Sequence, residues 1–300
     1  MGVAELSDEH AHSSFRADVP VALWVRQGEA FVLTARSVLG EGRTSLPTSY
    51  RDLVIPVTGP VAIDGVRSGD TVRIDILDIS IADVGAMVTL PGHGVFGDRV
   101  KIDGKILAIR DGKVLFAPGV EPPIVPMVGK IGMAVPGDAP VSSTVGDFGG
   151  NMDNKHLGVG SSIFLRAQVD GGLIYAGDLH ARQADGESSM TAVEVAGKLS
   201  LKAQVVPALP ITTPVVTDAD SVMTIGAGDS LEVAIAEAST AMATLLRESH
   251  GWTLETAAMA ISLIGDVGVC QLVNPRASGK VTVPRQYLRD VSNWTPWQPN

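Results

Sequence analysis

TVRIDIL, at residues 71–77, is the stretch that decides the fold, because its apolar and polar side chains alternate. Successive side chains of a β-strand point to opposite faces, so its aliphatic residues would face a core while Arg73 and Asp75 face solvent. Similar short apolar runs, separated by glycine, proline and aspartate, recur over residues 19–118. Short strands with frequent turn residues are typical of antiparallel sheets. We therefore expect a half-buried strand here and an antiparallel β architecture around it.

Helical spacing of apolar residues begins only in the last hundred residues. Asp229 or Ser230 can cap a helix in which aliphatic residues recur at helical spacing, and a second short helix is predicted over residues 253–264. A buried strand should follow over residues 265–273. The proline-rich stretch 117–140 is interpreted as ordered crossover loops.

These patterns predict an α+β fold that is predominantly β. Residues 1–205 should form antiparallel, sandwich-like or barrel-like β layers that carry the polar motifs. Residues 206–300 should form a smaller α/β part packed closely on the first. A hydrophobic content of 45% over 300 residues is sufficient for a substantial core.

Charge and composition exclude several classes of partner. The formal net charge is -10 and no basic run is present, so we expect no nucleic-acid partner. No apolar run of membrane-spanning length occurs, and residues 1–22 do not resemble a signal peptide, so no membrane partner is expected. A single cysteine, Cys270, allows no disulfide within the chain and fits a cytoplasmic protein.

The stretch GDLHARQADGE, at residues 177–187, concentrates a histidine, an amide and three carboxylates. If the preceding strand continues to His180, the period of two places Asp178 and His180 on one face. The same period pairs Asp185 with Glu187. A solvated turn between two strands would have a similar composition, so the pattern alone leaves a functional site and a surface turn both open.

A second polar stretch, GGNMDNKH at residues 149–156, lies upstream between a proline- and glycine-rich segment and a strand-like run. It contributes Asn151 and Asp153. A third, glycine-rich loop at residues 91–97 contains His93 but lacks the Lys-Ser/Thr of a phosphate-binding loop, so we expect no nucleotide site there. His93 is interpreted mainly as a loop residue whose loop borders the site.

The two polar stretches together resemble the acetamidase/formamidase family of amide hydrolases. The resemblance extends in order through residues 57–65, 129–132, 191–194 and 273–275, and therefore covers most of the chain. The chain departs from the family where Ala184 and Met190 stand at positions usually held by glycine. The resemblance implies an amidase that acts on a short-chain aliphatic amide such as formamide or acetamide.

Amide hydrolysis needs a strong nucleophile, polarisation of the carbonyl and a proton for the leaving amine. A water activated by a divalent metal meets these needs with the residues that the sequence clusters. Zinc is the first choice and calcium or manganese are alternatives. The candidates are His180, Asp153 and Asp178 as metal ligands, Glu187, Asp178, Gln183 and Asp185 as catalytic residues, and Asn151 and His93 as substrate-binding residues. The sequence leaves open which carboxylate binds metal and which is the general base.

Other mechanisms and functions remain as alternatives. Cys270 lies in an apolar run, where free cysteines are commonly buried, so a thiol nucleophile is not expected. The serine pairs at 161–162 and 188–189 lack partners for a serine mechanism. The chain could also be a non-catalytic small-molecule or metal-binding member of the same fold, or an amidase for a larger or cyclic amide. We expect a small-molecule amide as partner and a homo-oligomeric assembly.

Overall fold

The structure is a computed structural model that describes residues 2–37, 46, 49 and 55–288. Its strands are β1 (Ala4–Leu6), β2 (Ala11–His12), β3 (Leu23–Val25), β4 (Ala30–Ala35), β5 (Val57–Ile63), β6 (Thr71–Thr89), β7 (Asp103–Arg110), β8 (Lys113–Val114), β9 (Met127–Met133), β10 (Val145–Gly146), β11 (Gly149–Asn151), β12 (Ser162–Arg166), β13 (Ile174–His180), β14 (Glu194–Val206), β15 (Val215–Thr217), β16 (Ser221–Gly228), β17 (Asp266–Gln271) and β18 (Ala277–Pro284). Its helices are α1 (Leu231–His250) and α2 (Leu254–Ile264), with short 3-10 turns at Asp8–His10, Gly97–Arg99 and Arg285–Tyr287.

Two long strands, β6 and β14, form the centre of the sheet and pair antiparallel from Glu194 opposite Ala86 to Val206 opposite Thr71. The strand β14 also pairs with β4, and β6 also pairs with β12 and β7. Nearly all strand pairs among the described residues are antiparallel; β1–β4 and β3–β5 are parallel. The predicted α+β fold, predominantly antiparallel β with helices near the C-terminus, is confirmed.

The strand that contains TVRIDIL is longer and more deeply buried than its alternation predicted. It extends to Thr89, and Arg73 and Asp75 are buried rather than solvent-facing. Arg73 Nε lies 2.6 Å from Asp75 Oδ1, which also accepts a hydrogen bond from the Ser162 hydroxyl at 2.6 Å. Pairing lets charged side chains occupy a buried face, so alternating polarity did not mark a solvent face here.

The interpretation of residues 117–140 as crossover loops is wrong over its central part. Residues Met127–Met133 form β9, a fully buried strand that pairs with β11 on one side and β13 on the other. The sequence did not predict this strand because prolines lie on both sides of it and Lys130 lies in its middle, and a lysine is rarely fully buried. Gly132 is needed there, because a Cβ would lie 2.8 Å from the backbone nitrogen of Gly150.

Both predicted helices are present, and the first begins at one of its two predicted caps. The Ser230 side chain accepts a hydrogen bond from the backbone N–H of Val233 at the start of α1, and Gly251 ends the helix in a left-handed conformation. Thr253 caps α2 in the same way. The strand predicted after α2 is β17, but it is buried only at its end, since Val267 is exposed and Cys270 is buried.

The helix α1 packs on β16 and β18 at one side of the molecule. The main hydrophobic core joins Met223 and Ile225 of β16 to aliphatic residues of β6 and β12. The C-terminal part therefore packs directly on the β layers, and the division at residue 205 stays a prediction. None of the described helices is long and apolar enough to cross a membrane.

Candidate active site

The last residues of β13 place two polar side chains side by side in the interior. His180 Nε2 lies 3.7 Å from Asp178 Oδ1, and both residues are buried. Asp178 has a left-handed backbone conformation, with φ of 60°, so the strand is irregular at this point. The two groups that strand alternation predicted to converge therefore do so, although the strand between them is not regular.

Asp153 reaches the same place from the turn that follows β11. Gly149 and Gly150 both have positive φ, and a Cβ on Gly150 would lie 2.2 Å from the carbonyl oxygen of Thr144. Only glycine allows this close approach of β10 and β11. Asp153 follows with φ of 47°, and its Oδ2 accepts a hydrogen bond from Asn274 Nδ2 at 3.1 Å.

Two residues of the site, Glu194 and Lys130, were missed by the sequence reasoning. Glu194 Oε2 lies 3.2 Å from His180 Nε2, and Lys130 Nζ lies 3.2 Å from Asp178 Oδ2. Both side chains are nearly fully buried, Glu194 at 3% and Lys130 at 2% exposed. Each is a charged residue within a mostly apolar run, and such a residue is seldom buried without a partner. That signal was present in the sequence.

Glu187 lies on the turn between β13 and β14. Its Oε1 accepts a hydrogen bond from the backbone N–H of Ala192 at 2.9 Å. Its backbone φ is 47°, which makes it the third carboxylate residue of the site with a left-handed conformation. Strained residues of this kind cluster at functional sites and persist only where the surroundings hold them.

Several ligand-type atoms of this cluster are buried without a hydrogen-bond partner among the described residues. They are Asp153 Oδ1, Asp178 Oδ1, His180 Nε2 and Glu194 Oε2. Two overlapping groups, Asp153–His180–Glu187 and Asp178–His180–Glu194, each have ligand atoms within 4.8 Å of one another. Buried acceptors that face one another are costly unless a positive group lies between them.

The tautomer of His180 follows from its other ring nitrogen. Nδ1 lies 2.8 Å from Gln183 Oε1, an acceptor, so Nδ1 carries the proton. Nε2 faces Asp178 and Glu194, where it would carry a second proton in the absence of a cation and would offer its lone pair to a cation bound between them. One imidazole nitrogen with several carboxylate oxygens is a ligand set that suits zinc. Because most of its ligand atoms are oxygens, it also suits manganese or calcium. The residues present therefore fit a divalent cation.

Burial and mutual repulsion shift the carboxylate pKa values. Burial raises the pKa of Asp153 to about 7, with Asp178 and Glu194 adding to the rise. Burial, followed by the charge of Asp153, raises the pKa of Glu187 well above its usual range. Burial likewise raises the pKa of Glu194. Such carboxylates take up protons readily, and a bound cation would compete with those protons.

The other two shifts run against the effect of burial. Burial alone would raise the pKa of Asp178, but Lys130 and His180 outweigh it and hold the pKa below its usual value. Burial alone would lower the pKa of His180, but Glu194 and Asp178 outweigh it and raise the pKa well above its usual value.

Asp185 does not join the buried cluster. Its two carboxylate oxygens pair with Lys155 Nζ at 2.7 Å and Lys280 Nζ at 2.8 Å, and the side chain is 42% exposed. The expected pairing of Asp185 with Glu187 is therefore wrong, because the turn at Gly186 separates them and Glu187 points inward. The catalytic role predicted for Asp185 stays a prediction.

The two substrate-binding candidates differ in position. Asn151 is buried on β11 opposite Lys130, and its Oδ1 has no hydrogen-bond partner among the described residues. His93 is half-buried in the loop that follows β6, and this loop contacts the site turn through a hydrogen bond from Val95 N to Ser188 O at 2.9 Å. The loop therefore borders the turn that carries Glu187.

Cys270 is closer to the site than its sequence position suggested. Its carbonyl oxygen accepts hydrogen bonds from Gly186 N at 3.0 Å and from Gln183 Nε2 at 3.4 Å. The thiol itself is fully buried, and burial raises its pKa to about 12, with Lys280 acting in the opposite direction. The backbone of Cys270 supports the site, while its thiol is unsuited to be a nucleophile.

The fold and the cluster define a predominantly antiparallel β protein with one buried histidine–carboxylate site among the described residues. The sequence profile of the acetamidase/formamidase family matches residues 133–287, a range that contains both polar stretches. The chain belongs to the acetamidase/formamidase family, so the resemblance found in its motifs is confirmed.

Solved structures extend this relationship over nearly the whole chain. An acetamidase from Bacillus halodurans is 30% identical, with a TM-score of 0.90 over 94% of this chain and 98% of that chain. A predicted acetamidase/formamidase from Thermoanaerobacter tengcongensis is also 30% identical, with a TM-score of 0.90 over 94% of this chain and 96% of that chain.

Two curated relatives match over less than two thirds of their own length. A formamidase from Methylophilus methylotrophus is 25% identical over 65% of this chain and 64% of that protein. A second relative, from Schizosaccharomyces pombe, is 45% identical over 58 residues, which is 14% of its length. Membership of the family indicates an amide hydrolase.

Proposed function

We propose that this chain hydrolyses a short-chain aliphatic amide, such as formamide or acetamide, to a carboxylate and ammonia with the help of a divalent cation, zinc in the first instance. Family membership supports the reaction class. The observation that supports a bound cation is the set of buried ligand atoms without hydrogen-bond partners on Asp178, His180 and Glu194. A cation held there would supply Lewis-acid polarisation of the amide carbonyl and lower the pKa of a water.

The geometry supports a division of roles that the sequence left open. Asp178, His180 and Glu194 would hold the cation, and the unpartnered Oδ1 of Asp153 offers a further ligand. This assignment adds Glu194 to the set predicted from sequence. Lys130 supports the set by contacting Asp178 Oδ2, and its Nζ also donates to the Ile55 carbonyl at 3.0 Å.

Glu187 is the proposed general base. One of its carboxylate oxygens is fixed by the Ala192 backbone N–H, which leaves the other free to take a proton. Burial raises its pKa, which makes the carboxylate more basic, and a cation held beside it would keep it deprotonated until it accepts a proton from the attacking water. The same carboxyl group can then return that proton to the leaving amine.

Gln183 is proposed to orient His180. Its Oε1 accepts from His180 Nδ1, and its Nε2 donates to the Asp153 carbonyl at 2.6 Å. One amide thus fixes the ring orientation of His180 and the turn that carries Asp153. Outer partners of this kind typically contribute about 10-fold to 100-fold in metal affinity or activity.

The test combines ammonia release with metal content for the parent chain, His180→Ala and Glu187→Gln. Formamide, acetamide, propionamide and a cyclic amide should be compared, with and without added zinc, manganese or calcium. His180→Ala should lose bound metal and activity together, because it removes a ligand. Glu187→Gln should keep the metal and lose roughly 100-fold to 10,000-fold in turnover, the range for a general base.

Each alternative has its own outcome. Full activity in metal-free protein would contradict the proposed cation. Bound metal with no ammonia release from any of the amides would favour a binding protein. Release from the cyclic amide alone would assign a different substrate class to the same site.

A further inference from the structure

The turn between β17 and β18 brings a side chain from the C-terminal part of the chain to the buried histidine–carboxylate cluster. It contains Val273, Asn274 and Pro275, which share the family resemblance but have no role in the proposed mechanism. Asn274 Nδ2 donates a hydrogen bond to Asp153 Oδ2 at 3.1 Å. The turn therefore contacts one of the residues proposed to hold the cation.

Gln271 holds Asn274 in this position. Its side chain is fully buried, and its Oε1 accepts hydrogen bonds from the backbone N–H groups of Val273 at 2.9 Å and Asn274 at 3.0 Å. Its Nε2 donates to the Arg276 carbonyl at 2.6 Å. One glutamine thus fixes the backbone on both sides of Asn274, so a fixed turn presents the Asn274 amide to Asp153.

The backbone of Asp153 is fixed independently of its carboxylate. Its N–H donates to the Gly129 carbonyl at 3.1 Å, and its carbonyl accepts from Gln183 Nε2 at 2.6 Å. Among the described residues, the carboxylate has a hydrogen bond from Asn274 at Oδ2 and none at Oδ1. An ionised carboxylate only accepts hydrogen bonds, so the amide nitrogen of Asn274 is the atom that faces it. Asn274 therefore determines which oxygen of Asp153 remains available.

We infer that Asn274 is a positioning residue that keeps Oδ1 of Asp153 directed at the cation of the proposed site. This inference rests on the proposed function. Without the amide, the Asp153 carboxylate would be free to rotate, because the terminal torsion of aspartate has no sharp preference. The hydrogen bond from Asn274 removes that freedom before a cation binds. Partners of this kind typically contribute about 10-fold to 100-fold in metal affinity.

Zinc titration of the metal-depleted full chain tests this inference. Asn274→Ala and Asn274→Leu should each weaken zinc binding about 10-fold to 100-fold, because both lose the donor. Asn274→Leu keeps a side chain of similar size, so a role in packing alone would leave its zinc affinity unchanged. Asn154→Ala is the matched control, since it removes a buried amide beside Asp153 whose Nδ2 lies 3.9 Å from Met223 Sδ. The control should bind zinc within a few-fold of the parent.

A double-mutant cycle shows whether Asn274 acts through Asp153. In Asp153→Ala the carboxylate is absent, so adding Asn274→Ala should cause no further loss of zinc affinity. Circular dichroism and thermal unfolding of the metal-free variants establish that each is folded.

Three results would overturn the inference. They are unchanged zinc affinity in folded Asn274→Leu, an equal loss in Asn154→Ala, and the same loss from Asn274→Ala with and without the Asp153 carboxylate. A parent chain that binds neither zinc, manganese nor calcium would instead contradict the proposed function, and the inference with it. Equal binding by the parent and the Asn274 variants contradicts the positioning role alone.

Discussion

Gly129→Ala should weaken cation binding at the proposed site by roughly 10-fold to 100-fold while leaving the fold intact. Gly129 lies on β9, opposite the irregular point of β13. A Cβ built there would lie 2.6 Å from Asp153 Oδ1, 3.0 Å from the Asp178 carbonyl oxygen and 3.0 Å from His180 Cε1. The one added methyl group would therefore occupy the space that three residues of the proposed cation site share.

The size of the effect follows from these distances. Ordinary contact begins at 3.4 Å, so the Asp153 carboxylate must move by about 0.8 Å from its 2.6 Å position. Ligand distances in metal sites are held to about 0.2 Å, so Asp153 would no longer serve as a ligand. We expect a loss of roughly 10-fold to 100-fold in affinity, more if His180 also moves. The backbone at Gly129 is outside the left-handed region, so alanine is acceptable there.

The assay is zinc titration of metal-depleted protein, followed by circular dichroism and thermal unfolding. Gly268→Ala is the matched control, a strand glycine on β17 whose added Cβ would meet only the side chain of Lys280, at 3.0 Å. The control should bind zinc like the parent. If folded Gly129→Ala binds zinc with unchanged affinity, the space beside Asp153, Asp178 and His180 is not the cation site.

The remaining predictions address the thiol, the departures from the family pattern, acid stability and metal removal. Cys270→Ala should keep turnover within a few-fold of the parent, because a buried thiol with a pKa of about 12 is protonated at neutral pH; loss of several orders of magnitude in a folded variant would restore the thiol mechanism. Met190 has φ of 113°, so Met190→Gly should be more stable than Met190→Ala by about 1 kcal/mol in urea unfolding, the reverse of the usual order. Burial alone would raise the pKa of Asp218, but hydrogen bonds from His156 and Ser221 outweigh burial and lower the pKa to about 2. The ionised carboxylate therefore stabilises the fold at pH values above its unfolded pKa. This stabilisation is lost as the pH falls through about 2. Asp218→Asn should accordingly unfold with a weaker pH dependence in acid, by up to about 2 kcal/mol, and an unchanged acid profile would contradict this. Chelator should lower the thermal midpoint of the parent by several degrees, since a cation at about 1,000 times its Kd adds about 4 kcal/mol, and should have no effect on His180→Ala.

Elements whose apolar residues recur at a regular spacing were predictable from the sequence, and those whose spacing is interrupted by a buried charged residue were not. The helices α1 and α2 follow from apolar spacing, and α1 also from its Ser230 cap. The strand β9 was missed because Lys130 interrupts its apolar run. Local patterns assume that charged residues face water, and a lysine that pairs with a buried aspartate violates that assumption.

The same limit explains the candidate site. Asp153, Asp178, His180, Gln183 and Glu187 were found because they are close in sequence or share a recognisable motif. Glu194 was missed because its contact with His180 depends on the antiparallel register of β13 and β14, in which the two residues are directly opposite. Asp185 was grouped with them because sequence proximity does not show which way a side chain points.

The structure explains how the chain accommodates Met190 at a position where the family usually has glycine. A left-handed conformation favours glycine, and the family resemblance places glycine at this position. Here Met190 keeps the conformation and packs its side chain with Val88, Leu90 and Val273. Burial of a methionine side chain contributes about 1.5 to 3 kcal/mol, which is comparable to the about 1 to 3 kcal/mol of backbone strain. The substitution can thus retain the turn that carries Glu187.

The site concentrates backbone strain at three carboxylate residues, and the strands packed around it hold these residues in place. Asp153, Asp178 and Glu187 each have a left-handed backbone, which costs about 1 to 3 kcal/mol per residue in addition to burial of their charge. Hydrophobic packing gives no reason to concentrate these costs at one point. The close packing of β9 against β11 and β13, which its glycines permit, holds the conformations, and a cation between the carboxylates would offset their repulsion. The arrangement is therefore favourable as a ligand site and unfavourable as a purely structural cluster.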